Sequence, residues 1–286
     1  MKIKNAGFVK LLRIYIRKFN KHDILGLSAE MSFYLLTAMF PFVILLFFIA
    51  TLISSTMQQH LLSLISYLPR DMELLITELL LSFKGTLPII IISSVLGLWY
   101  VSNVIATLTK AMNRFYGTKE TRGFFKHRLM LLLFAIFIII VIFLSFALVI
   151  FGQGTEYILE RIRFFDFIDT EDAWAYLRYI SCVLAIFVSI TLMFKHLPNR
   201  KLSFKAVAGG SALTTAAWCI TSYGFAFYVN GFSRYHVIYG SLASIIILVA
   251  WVYMSSFVIL LGASLNAFWY RIRVAKRYRM PKNTNS

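Results

Sequence analysis

The sequence predicts an all-α fold: a polytopic six-transmembrane-helix bundle with an N-terminal amphipathic interfacial helix and amphipathic outer-loop helices. Three observations lead to it. Of 286 residues, 59% are hydrophobic and only 14% are charged, more apolar surface than a soluble domain can hide, so lipid is the solvent for much of the chain. Six apolar stretches are long enough, at about 20 residues each, to cross a bilayer. Basic residues gather in alternate connections between those stretches, as membrane topology requires. The same composition excludes a disordered chain and a disulfide-built scaffold.

The chain begins with a basic segment in which Phe8, Leu11, Leu12, Tyr15 and Phe19 recur at helical spacing, with Lys10, Arg13, Arg17, Lys18 and Lys21 largely on other faces. This predicts an amphipathic helix, either on the inner leaflet or packed as an ordinary helix on the membrane domain. The basic region is too long for a secretion signal, and the first apolar run has full span length without a small-residue cleavage site, so the segment is expected to stay in the mature protein.

The expected spans are approximately 31–53, 87–108, 129–151, 176–194, 206–229 and 238–267, all within one membrane domain of residues 1–270. A basic tail, 271–286, follows. Pro41 is expected to disturb the first span. The third is free of charge from Leu129 to Phe151, and in lipid such a stretch satisfies its backbone only as a helix. Before the second span, Leu61, Leu64, Ile65 and Leu68, then Met72, Leu75, Ile76, Leu79 and Phe83, mark two amphipathic segments around Pro69. The expected use is to cover the bundle's apolar rim, with a partner-binding or lipid-gating role as the alternative. The fifth span opens on AVAGGSALTTAA, small residues that let helices approach closely. The sixth exceeds a minimal span, which implies tilt or extension beyond the membrane.

Orientation follows from the 29 Lys and Arg. Twenty-three lie in the N-terminal segment, the connections after the second and fourth spans, and the tail. Of the acidic residues, only Asp23, Glu30 and Glu120 share that side. Both termini are therefore expected on the cytoplasmic side of the membrane. The formal charge of +17 then reflects topology and anionic inner-leaflet lipid, with no nucleic-acid partner.

No catalytic constellation is present: no phosphate-cradling G-x-x-x-x-G-K, no G-x-S-x-G, no H-E-x-x-H and no Cys/His cluster. Cys182 and Cys219 read as small buried hydrophobes, and His196 as a membrane-edge residue. No enzyme activity, metal or cofactor is expected. Polar residues within the apolar spans are the functional candidates, because burying them there is costly without a partner or water. Glu30 stands at the entrance of the first span, followed by Tyr34. It is read either as a binding group or as an acid favoured near a helix N-terminus. Asn103 needs a partner on another helix or a water-filled cavity. Arg114 reads either as a partner for Glu30 or a phosphate-bearing headgroup, or as a simple inner-side anchor. Asn199, Arg200 and Tyr239 complete the candidate substrate-binding set.

Four stretches occur in order: LSAEMSFYLLTAMFPF from Leu27 to Phe42, AMNRFYGTKETRGFFKHR from Ala111 to Arg128, HLPNRKLSFKAVAGG from His196 to Gly210, and YHVIYGSLASIIILVAWVY into LLGASLN from Tyr235 to Asn266. Through them the chain resembles the YihY/virulence factor BrkB family over nearly its whole length. The resemblance implies a six-helix bacterial cytoplasmic-membrane protein. Relatives have carried a ribonuclease label, which this sequence does not support, having no cluster of metal-binding acids. Relatives also commonly carry Glu where Ser264 stands here; if that acid carries a coupled proton or ion in them, this chain either lacks the coupling or uses Glu30 instead. Two functions follow as expectations. One is a transporter or lipid flippase or scramblase. The other is a non-transporting scaffold for envelope biogenesis, with envelope proteins or a second copy as partners.

Overall fold

A computed structural model describes residues 23–53, 73–74, 77–78, 87–151, 170–231 and 242–277. Six long helices account for nearly all of them: α1 (Ile24–Ile53), α2 (Leu87–Tyr116), α3 (Phe124–Phe151), α4 (Thr170–His196), α5 (Phe204–Gly231) and α6 (Leu242–Arg277). Five are long and apolar enough to cross a membrane, namely α1, α2, α3, α4 and α6. In α5 the Gly, Ser and Thr that favour close packing also dilute its hydropathy. The N-terminal amphipathic segment, most of the first outer loop and Tyr239 lie outside the described residues. Within that loop, Glu73, Leu74, Thr77 and Glu78 are helical.

The apolar stretches set the spans, but the helices are longer than the stretches. α1 begins at Ile24 and continues as one helix through Pro41. Gly97 on α2 leaves room beside the proline, since a Cβ there would stand 3.3 Å from that of Pro41. α6 continues to Arg277, so the first part of the basic tail is helix rather than a separate segment.

Short connections, 117–123 and 197–203, turn the chain straight back. Glu30 near the start of α1 meets Lys110 near the end of α2, and Gly210 of α5 faces Asn266 of α6. The starts of α1, α3 and α5 thus lie with the ends of α2, α4 and α6. We call this the basic end.

The core is densest toward that end, where Leu108, Met112, Phe194, Leu197, Val207 and Leu260 are fully buried. Outward, Ile91, Val95, Leu133, Ile140, Leu184, Ile220 and Phe227 are exposed, a charge-free belt suited to hydrocarbon. Buried hydroxyls mostly turn back on their own helices. Ser28 donates to the Ile24 carbonyl at 2.7 Å, Thr109 to Ile105 at 2.7 Å and Thr214 to Gly210 at 2.7 Å, which satisfies them without a partner helix. Cys182 and Cys219 are only partly buried, because each sits on a helix face turned partly outward.

α5 and α6 cross by reciprocal insertion. A Cβ at Gly210 would stand 2.6 Å from Asn266 Cβ, and one at Gly262 would overlap the Thr214 hydroxyl. Each helix offers a glycine to the other's side chain four residues along, the small-residue geometry anticipated for the fifth span.

Candidate functional site

Two polar assemblies stand out in this apolar protein. The first follows one face of α2. Asn103, Thr107, Lys110 and Arg114 are spaced by four, three and four residues, which places them within about 60° of one another around the helix. Glu30 of α1 docks here. Its carboxylate accepts from Thr107 Oγ1 at 3.1 Å and from Lys110 Nζ at 3.1 Å. Glu30 therefore pairs with Lys110, one turn deeper than Arg114; the anticipated Glu30–Arg114 pair does not form. Arg114 is exposed at the rim. Tyr34, one turn farther along α1, is partly buried against the core with its ring edge-on to Phe33.

α3 contributes the other charged group of this seam. Arg128 Nη1 donates to Asn103 Oδ1 at 3.2 Å, and its guanidinium lies 4.0 Å over the Trp99 ring. Asn103 thus finds the interhelical partner that an asparagine in lipid requires. It is the midpoint of the apolar stretch Ile90–Tyr116, and thirteen residues of helix put it roughly 20 Å from the basic end of α2. Arg128 Nη2 is buried without a hydrogen-bond partner among the described residues. Arg128 stands about one turn inside α3; a partly unsatisfied buried guanidinium is costly, and such groups mark binding sites or pathways. Sequence reading passed over Thr107, Lys110 and Arg128. The spacing from Asn103 to Arg114 was a visible signal for the first two; Arg128 carried none, since it precedes the apolar core of its helix.

The second assembly is a clasp that ties the two basic-end connections together. Asn113 Oδ1 accepts from Thr118 Oγ1 at 3.1 Å and from the Asn199 amide at 2.7 Å, while Nδ2 donates to Glu120 at 3.0 Å. Asn199 Nδ2 donates to the Lys119 carbonyl at 2.8 Å and to Thr121 Oγ1 at 2.7 Å. Glu120 accepts from Arg122 Nε at 2.6 Å and Nη2 at 2.7 Å, and the same Nη2 reaches the Leu197 carbonyl at 2.7 Å. Hydrogen bonding to Arg122 holds the Glu120 carboxyl down at about 2, against the opposing effect of partial burial. Asn199 is accordingly a structural member of the clasp, and its amide groups are committed to it.

Arg200 points elsewhere. Its guanidinium lies 4.9 Å over the Tyr270 ring, and Tyr270 is edge-on to Tyr116 at 5.7 Å. Tyr116 stands about 150° around α2 from the seam. The candidate residues therefore separate into three places: Glu30 and Asn103 in the seam with Arg114 at its rim, Asn199 in the clasp, and Arg200 across the helix. Ser264 is buried in α6, and His196 closes α4 at the surface with its ring beside Phe134. Among the described residues no group of three His, Cys, Asp or Glu is placed to hold a metal ion.

Comparison with known proteins agrees with this architecture. The profile of the family described as "Virulence factor BrkB" matches residues 15–285. The Bacillus subtilis (strain 168) protein named "Putative ribonuclease-like protein YfkH" is 28% identical over 282 residues, covering 96% of this chain and 98% of that one. "UPF0761 membrane protein PSHAa0171" of Pseudoalteromonas translucida (strain TAC 125) is 32% identical over 60% of this chain and 54% of its own. A UPF0761 membrane protein of Vibrio campbellii (strain ATCC BAA-1116) is 37% identical over 32% of this chain and 29% of its own. No solved structure matches the chain. With a profile match across nearly its full length and several apolar helices long enough to span a bilayer, the chain belongs to the virulence factor BrkB family of membrane proteins.

Proposed function

We propose that the protein moves an amphiphile with an anionic head across the bacterial plasma membrane, in the manner of a lipid flippase or scramblase. In this reading α5 is the sixth span, and the basic end with both termini faces the cytoplasm. The observation that carries the proposal is Arg128 beside Asn103, a guanidinium with an unpaired donor at the middle of a membrane-length helix. Below it, Lys110 held by Glu30 and then exposed Arg114 continue one polar face to the rim. Each cation is a stopping point for a phosphate or carboxylate, while the acyl chains remain in hydrocarbon outside the seam. Glu30 neutralises Lys110 when no head group is present and exchanges it for one that arrives. The close α5–α6 crossing supplies a contact on which two halves can rock.

The test is movement of fluorescent phospholipid in proteoliposomes, comparing the native protein with Glu30→Gln, Arg128→Gln and empty vesicles. The expected result is movement that both substitutions reduce at equal folded protein. Absence of movement over a panel of lipids, with folding verified, would overturn the proposal in favour of a non-transporting envelope scaffold.

A further inference from the structure

The basic end holds a second cationic group that no carboxylate among the described residues neutralises. Arg200 is exposed, yet its backbone is fixed. Its amide donates to the Pro198 carbonyl at 2.7 Å, and the preceding Asn199 is held in the clasp. The guanidinium rests on Tyr270. The next residue on α6, Arg271, turns toward the end of α2, where its Nη2 would lie 3.0 Å from a Cβ at Gly117. Arg200 lies on Tyr270, Arg271 lies beside Gly117, and Tyr270 meets Tyr116 edge-on, so the two arginines flank one tyrosine contact. Arg273 reaches the same rim, 3.5 Å from the Lys205 carbonyl.

The acid census shows why this cluster is unusual. Among the described residues, three carboxylate side chains stand at the basic end. Glu30 is taken by Lys110 and Glu120 by Arg122, and Asp23 accepts from the Gly26 amide at the start of α1. Residues 1–22 and 278–286 contain no Asp or Glu. Two arginines that flank one contact without a counter-charge among the described residues cost free energy, and a phosphate accepting from them offsets that cost.

We infer that Arg200 and Arg271 form a binding site for a phosphate-bearing anion, separate from the α2 seam and placed between the 197–203 connection and α6. An anionic phospholipid headgroup and a free phosphate compound share this chemistry. A bound anion would bridge the α4–α5 connection to α6 and so stabilise the basic end of the bundle.

The experiment is thermal unfolding of the full chain in detergent with added phosphatidylglycerol, phosphatidylcholine or inorganic phosphate, together with native mass spectrometry of bound lipid. Phosphatidylglycerol is expected to raise the unfolding temperature and phosphatidylcholine much less. Arg200→Gln and Arg271→Gln are each expected to weaken binding about tenfold, while Lys126→Gln, at an exposed position near the start of α3, leaves it unchanged. Arg200 is exposed, so its variant keeps the test open if Arg271→Gln misfolds. Stabilisation by inorganic phosphate that both variants lose would assign the site to a soluble phosphate compound. Equal binding of the two lipids with no phosphate effect, or full binding by Arg200→Gln, would overturn the inference. Because binding rather than transport is measured, the result stands apart from the fate of the seam.

Discussion

Gly262→Ala tests the closest approach to a glycine among the described residues. The added methyl would coincide with the Thr214 hydroxyl and stand 2.7 Å from its Cβ and 2.8 Å from its Cγ2. Carbon atoms in contact need about 3.5–4.0 Å, so α5 and α6 must separate by roughly 1 Å at the crossing or Thr214 must leave its rotamer. Thr214 is 1% exposed and hydrogen-bonded to the Gly210 carbonyl, which leaves it little freedom to move. Overpacking of this kind costs about 1–3 kcal/mol. Removing the opposing side chain with Thr214→Gly should relieve the clash, although a mid-helix glycine itself costs about 1 kcal/mol. The double variant is therefore expected to be more stable than the sum of the single effects predicts. The assay is denaturant unfolding in detergent micelles, run as a double-mutant cycle. A Gly262→Ala protein as stable as the native one, or a strictly additive cycle, would refute the reciprocal insertion and the rocking contact built on it.

Four other outcomes follow from the polar assemblies. Glu30→Gln should change stability by no more than about 1 kcal/mol, because Lys110 and Glu30 keep 49% and 35% of their side-chain exposure; thermal unfolding checks this beside the lipid-movement assay, where a large loss is expected. Asn113→Leu, which strands Glu120, Thr118 and the Asn199 amide, should cost about 2–4 kcal/mol and loosen both connections together, read as faster proteolysis within 117–123 and 197–203. The Glu120 carboxyl is held below its ordinary value, so its contribution is complete above pH about 4.5 and fades as pH falls toward about 2. After discounting for solvent screening it should amount to about 1 kcal/mol, and a Glu120→Gln protein should show a flatter acid limb. Arg128→Leu removes a guanidinium with an unsatisfied donor but also the partner of Asn103, so a loss of about 1–2 kcal/mol is expected in thermal unfolding; a fall above about 3 kcal/mol would mean the group is structural.

What the sequence made legible was set by solvent. A run such as Leu129 to Phe151 leaves the chain one way to satisfy its backbone in lipid, so the helices could be read directly, as could the close approach implied by the small residues of α5. Helix ends were less legible, because buried Ile24 and Leu27 lie on amphipathic turns beyond the apolar core of α1. The site was legible only as a set of residue types. Helical period assigns Asn103, Thr107, Lys110 and Arg114 to one face, but it does not say which neighbour presents its polar group there. Glu30 could be matched to Arg114 on charge alone; depth decided for Lys110. Arg122, Asn199 and Arg200 come together or diverge through connections about 80 residues apart, and no local pattern carries that register.

The separation of Arg200 from the seam bears on how one small bundle handles its positive charge. Cations at the basic end fall into three physical situations: paired with one of the few acids, held over aromatic rings, or left with neither. Arg122 is of the first kind, since a strong ion pair fixes the clasp and keeps it from competing for headgroups. Arg128 and Arg200 are of the second, resting on Trp99 and Tyr270. A π face attracts a guanidinium yet leaves its in-plane donors directed outward, so both arginines remain able to bind an anion. They differ in where they stand. Arg128 meets the middle of α2, where an anion is stable only in transit or in a polar enclosure, whereas Arg200 and Arg271 lie at the rim, where a headgroup can stay. On this argument, neutralising Arg128 should impair movement without removing retained lipid, and neutralising Arg200 should remove retained lipid while movement continues. Paired measurements of bound lipid and lipid movement on the two variants decide it: equal loss of both properties in both variants would mean that seam and rim are one site.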